Sequence, residues 1–159
     1  MVANLKPAII FLQETMIEGK KAKEFLESWL KGWSFGHISS EGHSRGLITA
    51  WNQEFEEVAV AKHNTVLKTV LMEKAIGESY ALYNVYGPYQ ENKGFWETFF
   101  FSRMLDPKNM ILRGDLNLTF YEKENWGPLA RNDGMGTFFA TFFQSKDLVD
   151  FQPLKLTAT

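Results

Sequence analysis

"NMILRGDLNLTF" (109–120) is the stretch on which the reading of the fold turns. Met110, Ile111 and Leu112 form an apolar run, and Arg113, Gly114, Asp115, Leu116 and Asn117 follow at once. A short apolar run closing on polar groups suits a buried strand that delivers chemistry at its end. Side chains two apart on a strand share a face. Asp115 and Asn117 are therefore expected to look into one place, with Leu116 turned to the core. Gly114 allows another backbone to approach closely there.

Two further strands end in the same way. "AIIFLQET" (8–15) follows Pro7, which marks a strand start, and delivers Glu14. "SYALYNVYG" (79–87) delivers Asn84 and Tyr86 on one face, just before a Gly-Pro break and Tyr89. Taken singly, an aspartate after a strand is usually a turn residue or helix cap, and Glu14 a solvated charge. Carboxylate, amide and phenol at the ends of apolar strands can nevertheless converge on one rim.

The remaining pattern organises around these strands. Ala22, Phe25, Leu26, Trp29 and Leu30 recur at helical spacing within 18–33, and Gly32 is a suitable stop. Strands are expected at 33–39, 46–51, 56–62 and 65–73, with a hairpin turn at "AIGES" (75–79). A second helix fits 91–105, the strand at 109–114 follows, and 119–134 is polar and breaker-rich, hence a loop. A third helix fits 133–147 and a last strand 148–154. Strands outnumber helices and mostly follow one another, so packed sheets with helices outside them are expected, an α/β sandwich rather than strict βαβ alternation. No repeat or linker divides the chain, so one domain over 1–159 is expected.

Composition narrows the function classes. With 45% hydrophobic and 23% charged residues in 159, the chain has the make-up of one folded domain. A formal net charge of −2 gives no overall basic footprint for nucleic acid, although a local cleft can be positive on a neutral protein. With no cysteine, disulfides and thiolate metal sites are excluded. No apolar stretch approaches a membrane span, and "MVANLKPAII" (1–10) lacks the layout of a signal peptide. Nucleus or cytoplasm is expected, with no secretion and no membrane partner. Aromatics are abundant, with 14 Phe and 5 Trp, and much of the Phe sits in "GFWETFFFSRM" (94–104) and "GTFFATFFQS" (136–145). These are read as helix faces packed on a sheet; a stacking platform for bases is the other reading.

The polar set suits phosphoester hydrolysis. Mg²⁺ wants oxygen ligands, commonly one or two carboxylates plus substrate phosphate. It neutralises charge developing on the phosphoryl oxygens. A second carboxylate can position or deprotonate water, and an amide and a phenol can hold both in place.

In this order, "FLQET" (11–15), "NVYGPY" (84–89) and "GDLN" (114–117) resemble the endonuclease/exonuclease/phosphatase superfamily, which includes deoxyribonuclease I. The nearer resemblance is to the endonuclease domain of plant non-LTR (LINE-type) retrotransposons. "KPAIIFLQET" (6–15), "RGLITAW" (45–51), "NVYGPY" and "LRGDLN" (112–117) follow that family's run of strands. "EKENWG" (122–127) and "FFQSKDLVDFQPL" (142–154) also resemble its later loop and strand. The resemblance covers almost all of the chain, and its specificity lies in the order of the motifs.

That resemblance implies a deoxyribonuclease I-like fold, a partial four-layer α/β sandwich of two packed mixed β-sheets with outer helices. It implies Glu14 as the ligand of Mg²⁺ or Mn²⁺ and Tyr86 as a contact to the scissile phosphate. Asp115 would orient or deprotonate water, with Asn117 in support. Asn84, Arg113, Lys123 and Arg131 are the candidate substrate contacts, the last two from the loop "YEKENWGPLAR" (121–131), which reads more readily as a solvated surface loop.

The departures are as informative. The family's first Asn-bearing strand and its closing Trp and Asp-His segment have no counterpart, so an incomplete domain is expected, truncated at both ends. His37, His43 and His63 all lie early in the chain. Without the general acid/base histidine, weak or no cleavage by this chain is expected. The expected function is a metal-dependent DNA phosphodiesterase-like domain, with DNA contacted along its phosphate backbone in the complete domain. The alternatives are a non-catalytic remnant or binding module, with self-association through exposed strand edges, and a sugar- or inositol-phosphate phosphatase.

Overall fold

The computed structural model describes residues 6–16, 19–40, 46–63, 65–89, 92–102, 104–105, 108–117 and 135–151. The chain divides into two compact units, residues 1–117 and 118–159.

The first unit holds β1 (Ile9–Gln13), α1 (Gly19–Trp29), β2 (Ser34–Ile38), β3 (Leu47–Trp51), β4 (Phe55–His63), β5 (Val66–Glu73), β6 (Glu78–Tyr86), α2 (Asn92–Phe101) and β7 (Met110–Asp115). Its strands form two sheets. One is antiparallel with the order β1-β3-β2, and the other is mixed with the order β4-β5-β6-β7. In the second sheet β4, β5 and β6 are antiparallel neighbours, whereas β7 runs parallel to β6. A parallel pair needs a long crossover, and α2 supplies it. The 73–78 turn closes as a hairpin, with Gly77 at φ 70° and its amide on the Glu73 carbonyl at 2.8 Å.

The sheets pack through alternating side chains. Leu47, Leu67 and Tyr86 form one cluster with Ile38 and Val60; Trp51, Leu71 and Leu82 form another with Ile9, Phe11, Phe55 and Tyr80. Burying a side chain of this size contributes about 2–3 kcal/mol. β4 is an edge strand with mostly exposed residues, and a register shift between Glu57 and Ala59 interrupts its ladder. Charge and bulge together blunt such an edge.

α1 covers the first sheet through Leu26, which packs on Ile48 with Leu12, Leu30 and Phe35. Phe25 and Trp29, expected on the same apolar face, are exposed and stack on each other at 5.3 Å. Gly32, at φ 78°, follows the helix end. α2 buries Trp96, Phe99 and Phe100, and Phe99 meets the Tyr83 ring edge-on at 6.1 Å. Phe101 is exposed, so the aromatic run is core on one side only. Lys68 Nζ and Tyr83 Oη both donate to the Met104 carbonyl, at 2.6 and 2.5 Å, which anchors the chain on its way to β7. Helix, sheet, sheet and helix make four layers.

The second unit contains α3 (Met135–Ser145), with Met135, Phe139 and Phe142 buried at helical spacing. Asp147 adopts φ 53° and the Leu148 amide returns to the Phe143 carbonyl at 2.9 Å, closing the helix. The strand expected at 148–154 does not form over 148–151, where Val149 and Phe151 are exposed. No strand among the described residues pairs with this segment. The rest of that segment and the expected loop at 119–134 lie outside the described residues. Among the described residues, no helix is long and apolar enough to cross a membrane.

Candidate active site

Three strand ends meet at one rim. Because β6 and β7 are parallel, their C-terminal ends lie side by side, with Tyr86 opposite Asp115 and Asn84 opposite Arg113. The Asn109 side chain bonds Glu78 and the Ser79 carbonyl, and its own carbonyl accepts the Ala81 amide at 3.0 Å, which fixes where β7 begins. β1 approaches from the other sheet. Ile9 and Phe11 face the sheet interface, and alternation puts Gln13 on the same side.

Gln13 ties the three strands together. Its Nε2 donates to Asn84 Oδ1 at 2.9 Å and to the Val85 carbonyl at 2.7 Å. Its Oε1 accepts the Asp115 amide at 2.6 Å. A carbonyl can only accept and an amide N–H can only donate, so the Gln13 side chain has one orientation. Asn84 must then present its oxygen to Gln13 and its nitrogen elsewhere, and Nδ2 donates to the Leu12 and Ile48 carbonyls at 3.2 and 3.0 Å. Asn84 is fully buried. It was expected as a substrate contact, and this is corrected: the alternation that puts it on the Tyr86 face also puts it between the sheets, two residues in from the rim. It is a strut, satisfied inside the fold.

Glu14 lies just beyond β1 with φ 49°. A continued strand would send it to the face opposite Gln13. The left-handed backbone breaks that alternation, and Glu14 Oε1 accepts a 2.8 Å hydrogen bond from Tyr86 Oη. The bond to this carboxylate, with burial, pushes the Tyr86 phenol up to about 12, against the opposing effect of a hydrogen bond with Asn117. Tyr86 is therefore a protonated donor at neutral pH.

Asp115 is held on every backbone side. Its amide goes to Gln13, and its carbonyl accepts the Gly87 amide at 2.7 Å. Its Oδ1 accepts the Asn117 amide at 3.0 Å. This is the turn that aspartate makes with the backbone two residues on. Asn117, at φ 49°, has left the strand, and its Nδ2 donates to the Gly87 carbonyl. Asp115 and Asn117 thus come together through a turn rather than through strand alternation. Two glycines permit the close approach. A Cβ on Gly114 would strike the Val85 carbonyl oxygen and Gln13 Nε2, and one on Gly87 would strike the Leu116 carbonyl.

The structure brings Glu14, Tyr86, Asp115 and Asn117 together. Arg113 is exposed on the same face of β7 as Asp115. Lys123, Arg131 and His43 lie outside the described residues. His37 and His63 sit on β2 and β4, the strands farthest in sheet order from β1 and β7. Burial and the Lys62 charge lower the pKa of His37. Gln13 escaped the sequence reading because a glutamine at a strand end looks ordinary. Its signal was register: it shares a face with Ile9 and Phe11.

Among the described residues, no three His, Asp or Glu side chains cluster as a metal cage. Glu14 spends one carboxylate oxygen on Tyr86 and keeps the other. That fits Mg²⁺, which retains waters and is commonly anchored by one or two carboxylates plus substrate phosphates; it does not fit an all-protein Ca²⁺ cage.

Two packed sheets with outer helices, and strand ends gathered at one rim, define a deoxyribonuclease I-like α/β fold. Among solved structures, the endonuclease domain of TRAS1, a telomere-specific non-LTR retrotransposon, is similar with a TM-score of 0.64. It is 16% identical, and the match covers 91% of this chain and 62% of that one. A mannosyl-6-phosphatase from Bacteroides thetaiotaomicron is similar with a TM-score of 0.55 at 16% identity, covering 74% of this chain and 54% of that one. The human Nocturnin catalytic domain with bound sulfate gives 0.53 at 16%, with the same coverages of 74% and 54%. The chain thus spans less than two thirds of the length of these structures. At such identities the likeness is one of fold. No family model matches the sequence, and no curated protein matches it.

Proposed function

We propose that the rim is the site of a divalent-metal-dependent phosphodiesterase acting on DNA, with slow cleavage by this chain. The observation that carries the reading is the convergence of two carboxylates, an amide and a protonated phenol: Tyr86 on Glu14, the Asn117 backbone N–H on Asp115, and the Asn117 side-chain amide on the adjoining Gly87 carbonyl. Glu14 would hold Mg²⁺ or Mn²⁺, which when bound supplies positive charge against developing phosphoryl charge. Tyr86 keeps its proton, and its one O–H, held by Glu14 in this structure, would turn from that carboxylate to donate to a phosphate oxygen. Asp115, exposed and anchored, accepts a proton from or orients an attacking water. Asn117 holds Asp115 in place, and Arg113 on the same face suits the phosphate backbone. The similarity to the TRAS1 endonuclease domain favours DNA over a sugar phosphate.

Slow cleavage is inferred from the proton donors among the described residues. Neither His37 nor His63 belongs to a strand at the rim, and a phenol at about 12 is a poor acid for a leaving alkoxide.

The test is nicking of supercoiled DNA with Mn²⁺ or Mg²⁺, alongside Mn²⁺ titration. Weak metal-dependent nicking is expected, reduced roughly 100-fold or more in Asp115→Asn. Glu14→Ala should weaken Mn²⁺ binding at least roughly tenfold. Nicking unaffected by Asp115→Asn, or Mn²⁺ affinity unaffected by Glu14→Ala, would overturn the assignment. DNA binding by a folded chain that never nicks would support a binding module instead.

A further inference from the structure

We propose that Gln13 is a positioning residue that fixes the Asp115 backbone relative to Glu14 and so sets the separation of the two carboxylates. The inference rests on the reading of Glu14 and Asp115 as the working carboxylates of the site.

Three observations carry it. Gln13 is covalently next to Glu14, and its Oε1 holds the Asp115 amide at 2.6 Å across 102 residues of sequence. The two anchors on its nitrogen, Asn84 Oδ1 and the Val85 carbonyl, leave the amide one orientation, so the contact to Asp115 cannot be exchanged for another by a flip. Gly114 keeps the space open, since a Cβ there would meet Gln13 Nε2. The other holds on Asp115 come from Gly87 and Asn117, which belong to the β6 and β7 side of the rim. Among the described residues, Gln13 is the hydrogen-bonded tie from Asp115 to β1.

A catalytic geometry is lost when a supporting contact lets a group drift by a fraction of an ångström, even though no reacting atom is touched. Removing Gln13 should therefore alter turnover more than binding. Its loss also frees Asn84 and Val85, so a purely structural effect must be separated from a positional one.

The experiment compares the full chain with Gln13→Met, which keeps the length of the side chain and removes both donor and acceptor. Hydrogen exchange of the Asp115 amide should quicken at least about tenfold, while amides inside the β6–β7 ladder keep their protection. Mn²⁺ affinity should stay within roughly threefold, because Glu14 is intact, and nicking should lose roughly 10- to 100-fold in kcat with KM little changed. An unchanged Asp115 amide in folded Gln13→Met, or uniform loosening of the whole ladder, would overturn the proposal. If the variant does not fold, scalar coupling across the hydrogen bond from Asp115 nitrogen to the Gln13 side-chain carbonyl carbon in the unaltered protein decides; its absence overturns the proposal. Neither exchange nor coupling needs turnover. Failure of the unaltered chain to nick DNA would thus count against the nuclease reading and leave the Gln13 result to be judged by exchange and coupling.

Discussion

An amide side chain sealed between two sheets has no water to fall back on, and Asn84 meets that demand with protein groups alone. Its oxygen accepts from Gln13 and its nitrogen serves the carbonyls of Leu12 and Ile48. Truncation would orphan those partners, and each unsatisfied buried group costs about 1–3 kcal/mol. Asn84→Ala is therefore expected to lose about 3 kcal/mol or more by denaturant unfolding, the upper end for single substitutions. A loss below about 1 kcal/mol would mean that water replaces the amide. At this scale the sequence marked Glu14, Tyr86, Asp115 and Asn117 because each lies at or just past the end of an apolar run. It misplaced Asn84 and passed over Gln13. Whether a polar strand residue faces solvent or another sheet depends on tertiary packing, which alternation alone does not contain.

Among the elements, β7 is the one whose placement creates the site. It lies parallel to β6, and Gly114 presses against the Val85 carbonyl so closely that no Cβ fits. The obstacle is backbone, which cannot swing aside as a side chain can. Gly114→Ala should cost about 1–3 kcal/mol in stability, read as a lowered Tm, and should shift the end of β7 away from Gln13. An unchanged Tm with an unchanged Asp115 amide environment would show that the strand has slack there. Elements of this kind were legible: β1, β2, β3, β5 and the three helices fall within the expected stretches, and β4, β6 and β7 overrun theirs by one residue at one or both ends. The strand expected at 148–154 does not form over 148–151, where no described strand pairs with it, and a pattern of Leu, Val and Phe does not announce a pairing partner. The exposed Phe25–Trp29 pair shows the same limit, since helical spacing gives a face and not its breadth.

Across the whole molecule, the sheets meet through apolar clusters along most of their length and through Gln13, Asn84, Tyr86 and Glu14 near one end. This makes stability depend on pH in the alkaline range. Tyr86 titrates at about 12 in the fold against about 10 when unfolded. Its raised value means that the folded state holds the proton longer. The stabilisation is fully present below pH 10 and is lost as pH rises through 12. Thermal unfolding between about pH 9 and 12 should show a steeper fall for the unaltered protein than for Tyr86→Phe. Parallel curves would show that Tyr86 is not coupled to folding. The sandwich itself was readable from the succession of strands. The order β1-β3-β2 and the docking of β1 against β7 were not, because they are set by which apolar faces find one another in space.

The 102-residue reach of the Gln13–Asp115 bond has a kinetic corollary. Loop-closure entropy must be met before so distant a contact gives anything back, and chains dominated by such contacts fold slowly. The hairpins of β4, β5 and β6 join near neighbours and can form early, whereas the rim has no existence until β1 and β7 have both arrived. Its appearance would thus mark the last step of assembly, and a protein caught with only its hairpins made would carry every residue of the site and none of its chemistry.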